Sequence, residues 1–565
     1  MLTHAVVACG PIPTALDPDG VYPYVSYCET ANRPEPRRYK FVLIENQHLK
    51  VTICPDLGGK VTSLIQKSAG KEVLYAPQVI RPVRILPRFN FVAGGIEVSF
   101  PISHSPSQNE KVLYRIHSTR DRVYVTCGER ELHFGMQWSV EYSLGPEDSF
   151  LTERVVLHNP GRTAYPWMSW SNAGLPSAPD TEFHFPRGKV LSHSSRLEHI
   201  DWPGGAPQRE ADISEMTGFF WMSHDTNAFG AFTPSLGTGL YHVADAATAP
   251  GMKLWSYGVG EDRSWAVLST APEQAYIEIQ GGPIRDQSIK LELTPGETRS
   301  HLEYWIPSNK RLNIYSLTVP QITLRPLDAI PLFGWVRRQE TRVWDQLTRA
   351  YRGKRRLPSP PAVHENLWPP SGLENLDRAF DWAIQNCKAK DSDLWKFHFG
   401  TWLAGRNQKD RAARVLAGCQ TGVAKVLLAR IHRSKREWKR AAEALDAIQE
   451  KWLRLHPQVV VEHDKVLRAL GNQTLARRKQ WLESTAALQD ERITERRVQW
   501  LIDQGEIQKA RDLLLSTPFQ KVHQSYARTD LWRQICQQLG EACDPIPRSL
   551  GEDRLVQFGA YREFE

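Results

Sequence analysis

Gly94-Gly95-Ile96-Glu97-Val98-Ser99-Phe100-Pro101, followed closely by His104-Ser105-Pro106, is the stretch that decides how the first half of this chain is read. Side chains alternate across a strand, so Ile96, Val98 and Phe100 turn to one face while Glu97 and Ser99 turn to the other. The two glycines leave room for another chain segment to approach closely. A second stretch of the same character is Tyr276-Ile277-Glu278-Ile279-Gln280-Gly281-Gly282-Pro283, where Tyr276, Glu278 and Gln280 share a face and Ile277 and Ile279 point into a core. Each stretch offers a carboxylate on a polar strand face, the raw material of an acid/base pair.

Between Tyr39 and Pro307 the same pattern recurs: short alternating runs such as Phe41-Val42-Leu43-Ile44, Val123-Tyr124-Val125 and Trp138-Ser139-Val140-Glu141-Tyr142, broken by Gly, Pro, Asn and Asp. Many short, turn-bounded strands predict a large antiparallel sandwich, longer than a seven-stranded one. The pattern then changes. Pro358-Ser359-Pro360-Pro361 and Trp368-Pro369-Pro370 mark a stiff connector. Beyond Leu373 apolar residues fall at three- and four-residue spacing, the helical period. Gly471 to Ala476 recurs as Gly505 to Ala510, 34 residues on, with Ala442 one period upstream. That is the tetratricopeptide period; small Ala allows close helix packing, and Gly ends one helix so that the next folds back. An irregular helical bundle is the alternative. The expected division is an N-terminal extension (1–38), a β domain (39–310), a Pro-rich basic linker (311–372), helical repeats (373–545) and a tail (546–565).

With 565 residues the chain is expected to form several domains. Its net charge of +8 lies mostly in the second half, as in Arg433-Ser434-Lys435-Arg436. Acidic residues are interspersed there without a nucleic-acid motif, so solvated helix faces are expected rather than nucleic-acid binding. The 8 cysteines show neither Cys-x-x-Cys nor metal-ligand spacing and read as reduced, structural thiols. Without a long apolar run, no membrane span is expected. Ala5-Val6-Val7-Ala8 before Cys9 is too short, and lacks the basic flank, for a signal peptide, so an unprocessed cytoplasmic protein is expected. Phosphate loops, dinucleotide fingerprints, zinc helix motifs and the serine-hydrolase elbow are all absent from the sequence. No cofactor is expected; a divalent cation enters only by analogy of fold.

The two stretches, together with Trp170-Ser171-Asn172-Ala173, Leu293-Thr294-Pro295-Gly296-Glu297 and Tyr304-Trp305-Ile306-Pro307, resemble a family catalogued as a domain of unknown function, DUF5107. The resemblance implies a galactose-mutarotase-like β-supersandwich with a sugar on its concave face, followed by tetratricopeptide-like repeats. That fold serves epimerases, lyases and accessory domains alike, so it does not choose a reaction. An epimerase would be expected to carry a histidine near Trp170-Ser171-Asn172; here Ser169 and Trp170 stand in that neighbourhood.

Chemistry at an anomeric or glycosidic carbon needs a proton donor and a base or nucleophile, commonly two carboxyls. Glu97 and Glu278 are the candidates, against the alternative of strand glutamates in salt bridges. His104, flanked by serines, is a candidate acid. His184 alternates with Phe183 and Phe185 and faces away from them. Trp170 with Asn172, and Trp255 with Tyr257, pair a ring with a polar group in the manner of sugar readers, although Trp is equally a core residue. Gln280 and Arg285 are candidates for orienting substrate or holding Glu278 charged. The expectation is a carbohydrate-active enzyme, a two-glutamate glycoside hydrolase first, an aldose epimerase or a non-catalytic sugar-binding scaffold as alternatives. The helical repeats are expected to bind a protein partner or a second copy of the chain.

Overall fold

The computed structural model describes residues 2–12, 26–80, 82, 91–102, 104–105, 107–193, 197–214, 216–256, 258–259, 276–286, 289–336, 338–363, 369–370, 373, 375–406, 408–488, 490–517 and 527–550. Tyr257 lies outside the described residues.

Alternation builds two antiparallel sheets. The larger, of eleven strands, runs in spatial order Leu197–Trp202, Gly188–His193, Thr217–Trp221, Gly251–Ser256, Tyr276–Gly282, Trp170–Pro176, Gly95–Ser99, Lys60–Gln66, Leu49–Cys54 and Val42–Glu45, with Lys71–Glu72 beside Lys60–Gln66. The smaller, of eight, runs Glu182–His184, Ala228–Thr233, Thr238–Ala244, Thr298–Ser308, Leu151–His158, Gln137–Leu144, Val123–Arg130 and Leu113–Ser118. Val61, Ile96, Ala173, Leu254, Ile277 and Ile279 of the larger sheet pack with Val125, Val140, Val155, Leu240 and Trp305 of the smaller in one continuous core. The expected sandwich is therefore present, and the partners of those core residues in each strand face outward. Gly94 and Gly95 have φ of 78° and 72°, and a Cβ on Gly95 would lie 2.4 Å from the Val61 carbonyl oxygen.

Two expected boundaries are corrected. Leu2–Ile12 pairs antiparallel with Ser26–Tyr39 and parallel with Val79–Ile80, so the N-terminal stretch forms strands rather than a bare extension. The supposed linker contains two ordered parts. Residues 311–336 run as a strap over the outer face of the smaller sheet. There Ile314 packs with Phe232, Tyr241 and Tyr304. Arg325 Nε donates to Glu141 Oε2 at 2.6 Å, and Ser139 Oγ donates to the Pro331 carbonyl at 2.7 Å. Proline-rich chain cannot join a ladder, but it accepts hydrogen bonds from polar side chains on an outward strand face. Next comes a helix, Arg338–Gly353, whose Trp344 and Leu347 belong to the helical core.

Helices follow in succession, among them Gly422–Ser434, Trp438–Asp446, Pro457–Ala469, Leu475–Ser484, Glu491–Asp503 and Ile507–Ser516. Gly471 and Gly505 both have positive φ and end their helices as the repeat predicts, and Arg436 also has positive φ, at the preceding turn. Ala442 and Ala510 are buried. Ala476 is exposed; its helix buries Arg478 and Leu482 instead, and Arg478 donates to Asp464 at 2.8 Å and Asp503 at 2.7 Å and thereby joins three helices. No described helix is long and apolar enough to cross a membrane.

Gly95→Ala is expected to destabilise the β domain by roughly 2 kcal/mol or more, since it adds a clash to a backbone conformation that disfavours Ala. Urea denaturation of the full chain measures this, and a loss below ~0.5 kcal/mol would contradict the close approach.

Candidate functional site

Register assembles the site. In the larger sheet Asn172 stands opposite Glu97 on one side and Gln280 on the other, and Gln280 stands opposite Lys253. Val61 pairs with Ile96, which sets Lys60 beside Glu97. Residues opposite one another share a face, so Lys60, Glu97, Asn172, Gln280 and Lys253 form one polar row across five strands. A second row, two residues along, places Gly174, Glu278 and Trp255 together. Glu97 and Glu278 thus flank the Trp170–Pro176 strand, their Cα atoms about 12 Å apart by strand spacing and rise.

Glu97 is 4% exposed and heavily partnered on one side. Its Oε1 lies 2.5 Å from His104 Nδ1. Its Oε2 lies 3.5 Å from Lys60 Nζ, an ion pair at the outer edge of hydrogen-bond distance. Lys60 directs two of its three donors to the Val92 and Gly94 carbonyls, at 2.5 and 2.8 Å. Burial pushes the Glu97 carboxyl up, but His104 and Lys60 outweigh it and hold the group below its ordinary value. Burial lowers the Lys60 ammonium, against the attraction of Glu97 and Glu278. His104 packs edge-on against Phe91, with ring centroids 4.7 Å apart.

Glu278 is held differently. The Tyr276 hydroxyl donates to its Oε1 at 3.1 Å and Gln280 Nε2 donates to its Oε2 at 2.9 Å. Burial brings Lys253 down to about 8, opposed by Glu278 and Asp286. Tyr276 stacks on Tyr75 with centroids 5.0 Å apart and lies near Trp255, whose centroid is 6.1 Å away. A carboxylate, an amide and three rings are therefore gathered at this end.

Six sequence candidates come together here: Glu97, His104, Asn172, Trp255, Glu278 and Gln280. Trp170 shares their face but is packed against Phe220 and fully buried. Two candidates fall elsewhere. His184 does face away from Phe183, yet its strand belongs to the smaller sheet, and its Nδ1 meets the Tyr241 hydroxyl at 2.8 Å under the strap. Arg285 donates to the Met222 carbonyl at 2.7 Å, not to Glu278, because the chain has turned away after Gly282. Lys60 and Lys253 were missed. Alternation in Gly251–Ser256 places Lys253 with Trp255, a signal available in the sequence, whereas the approach of Lys60 to Glu97 depends on long-range pairing. Among the described residues, no cluster of three or more His, Cys, Asp or Glu has the arrangement to hold a metal ion.

Behind the same strands lies a buried charge cluster between the sheets. Ser171 Oγ, next to Asn172, is 2.7 Å from both Glu153 Oε1 and Glu303 Oε1. His242 Nε2 is 2.7 Å from Glu303 Oε2, and His301 Nε2 is 3.1 Å from its Oε1. Gly281, next to Gln280, admits this cluster: a Cβ there would lie 2.4 Å from Glu303 Oε2. One hydroxyl proton serves only one carboxylate, so the other carboxyl must itself donate. Burial and the charge of Glu303 push Glu153 up, to about 8, while the two histidines hold Glu303 low despite burial. Glu153 is the protonated partner, donating to Ser171, which donates to Glu303; Trp305 Nε1 donates to Glu153 Oε2 at 2.7 Å.

A family model described as a domain of unknown function, DUF5107, matches residues 16–308, more than half of the chain. The chain belongs to this family. A second model, described as a C-terminal domain, matches residues 344–535, the helical part. The crystal structure of a TPR-domain containing protein from Parabacteroides distasonis ATCC 8503 is 57% identical, with a TM-score of 0.94 over 99% of this chain and 98% of that one. A galactose mutarotase-like protein from Clostridium acetobutylicum is 16% identical, with a TM-score of 0.37 over 48% of this chain and 96% of its own. A galactose mutarotase related enzyme from Lactobacillus acidophilus is 16% identical, with a TM-score of 0.35 over 47% and 97%. At that identity and score the last two bear on neither chemistry nor substrate.

Because folded Glu153 keeps its proton up to about 8 while the unfolded chain releases it near 4.5, its contribution makes stability fall as pH rises through that window. Glu153→Gln preserves the donor to Ser171 and the acceptor for Trp305, so it is expected to fold and to remove this slope. Glu303→Gln leaves two histidines without their counter-charge and is expected to cost about 3 kcal/mol. Denaturation of each variant across that pH window checks both; an unchanged slope in Glu153→Gln would refute the assignment.

Proposed function

We propose that the outer face of the larger sheet is a carbohydrate site acting at an anomeric carbon, with His104 as proton carrier and Glu278 as the opposing carboxylate. The observation that carries this reading is the 2.5 Å contact of His104 Nδ1 with Glu97 Oε1. The Glu97 carboxylate, kept ionised by His104 and Lys60, orients the imidazole, and a ring held in that way is placed to donate and accept a proton. At the other end of the rows, Glu278 accepts from Tyr276 and Gln280. The ring of Trp255, backed by Tyr276, supplies an apolar surface for the C–H face of a sugar.

Two-glutamate hydrolysis needs one carboxyl held protonated at working pH. Glu97 is held in the opposite direction. We read the pairing of His104 with an ionised Glu97 as serving proton exchange at a free hemiacetal, an epimerase-like reaction; a two-glutamate glycosidase, in which Glu97 would be the base or nucleophile, is the second reading. One group takes the proton of the anomeric hydroxyl, C1=O forms as the C1–O5 bond breaks, and the other group protonates the ring oxygen; rotation about C1–C2 and the reverse steps then close the ring on the opposite face of C1.

The test is product detection by NMR with the full chain and its His104→Asn, Glu97→Gln and Glu278→Gln variants on a panel of free aldoses and glycosides. Accelerated anomer exchange, reduced roughly a hundredfold or more in His104→Asn and Glu278→Gln, is the expected result. Cleavage of glycosides that disappears in both glutamate variants would replace this reading by hydrolysis. Saturable binding without turnover would favour a sugar-binding scaffold whose repeats recruit a partner.

A further inference from the structure

Two acceptors on the polar row have no hydrogen-bond partner although both are buried: Glu97 Oε2 and Asn172 Oδ1. They belong to residues directly opposite each other on neighbouring strands. Their neighbours are already committed. His104 is engaged with the other oxygen of Glu97. Lys60 directs two of its three N–H groups to backbone carbonyls and stands 3.5 Å from Oε2, too far to satisfy that oxygen fully. Gln280, on the far side of Asn172, turns its amide to Glu278.

We propose that Glu97 Oε2 and Asn172 Oδ1 form a paired-acceptor subsite that reads two adjacent free hydroxyls of the sugar. This rests on the carbohydrate reading above and names its substrate class: a sugar carrying an unsubstituted vicinal diol. Both oxygens accept only, so the ligand must donate twice. Side chains opposite one another across a strand pair stand about 5 Å apart at Cβ, a separation that hydroxyls on neighbouring ring carbons can bridge. A metal cation would also meet two acceptors, but the Lys60 ammonium already occupies the electrostatic position beside Oε2 and repels a second positive charge. A neutral double donor satisfies both atoms without that repulsion. Lys60 acts here as a positioning residue, since it fixes the charge state of Glu97 and ties it to the Val92–Gly94 turn.

A site built to accept from a hydroxyl discriminates against the analogue that lacks it, because a buried acceptor is then left unmet. The experiment measures binding of free aldohexoses to the full wild-type chain by saturation-transfer NMR and calorimetry, and then of the monodeoxy derivatives at each ring position of the sugar that binds best. Two adjacent positions should each weaken binding roughly ten- to hundredfold when deoxygenated, the others by much less. In Asn172→Ala, which serves as the second arm, the penalty at one of those two positions should vanish while the other remains. Uniform binding of all monodeoxy derivatives to the wild-type protein would overturn the subsite and leave the carbohydrate reading standing. Absence of binding by every parent aldohexose would overturn that reading, and the subsite with it.

Discussion

An ionised side chain removed from water must meet an opposite charge or a full set of hydrogen bonds, and several parts of this protein are organised by that requirement. On the outer face of the larger sheet, Glu97 is met by His104 and Lys60. Between the sheets, Glu303 is met by two histidines while Glu153 keeps its proton. Under the strap, Glu141 is met by Arg325 and Arg154. In the helical half, Asp464 is met by Arg478 and Arg496. Each arrangement joins segments distant in sequence, so meeting the charges also holds the tertiary structure in one form.

The site and the inter-sheet cluster are two faces of the same strands. Ser171 and Asn172 are consecutive, as are Gln280 and Gly281, and alternation sends one of each pair inward and the other outward. The inward members contact the Glu153–Glu303 pair; the outward members form the polar row. A buried, charge-matched cluster of this kind resists displacement of the strands that carry it, which stiffens the platform on which Glu97, Asn172 and Glu278 stand. Gly281 shows the steric side of the same design, because any side chain there would push the cluster away from the sheet.

Much of this was legible before any coordinates. The alternation around Glu97 and Glu278 put those carboxylates on polar faces correctly, and the repeat of Gly471 and Gly505 located two helix ends. The failures share a cause. His184 has the alternation of a site residue, but alternation does not say which sheet its strand joins. Arg285 is near Glu278 in sequence, yet a turn at Gly282 carries it away. Ala476 fits the repeat by position, while the charge of Arg478, matched by Asp464 and Asp503, decides what that helix buries. Residues 311–336 were read as part of a connector because of the prolines at 358–361 and 369–370, whereas chain that joins no ladder can still be a strap fastened by outward-facing side chains.

By itself the sequence determined the local terms: where strands alternate, where helices begin, which residues carry chemistry and which side of their own strand they occupy. Those follow from backbone geometry within a few residues. Only the tertiary structure decided which strands are neighbours, and therefore that Lys60 stands beside Glu97, that Asn172 lies between Glu97 and Gln280, and that Lys253 closes the row. Strand pairing is set by the burial of a whole sheet face and by the matching of charges far apart along the chain. No window of adjacent residues contains that information.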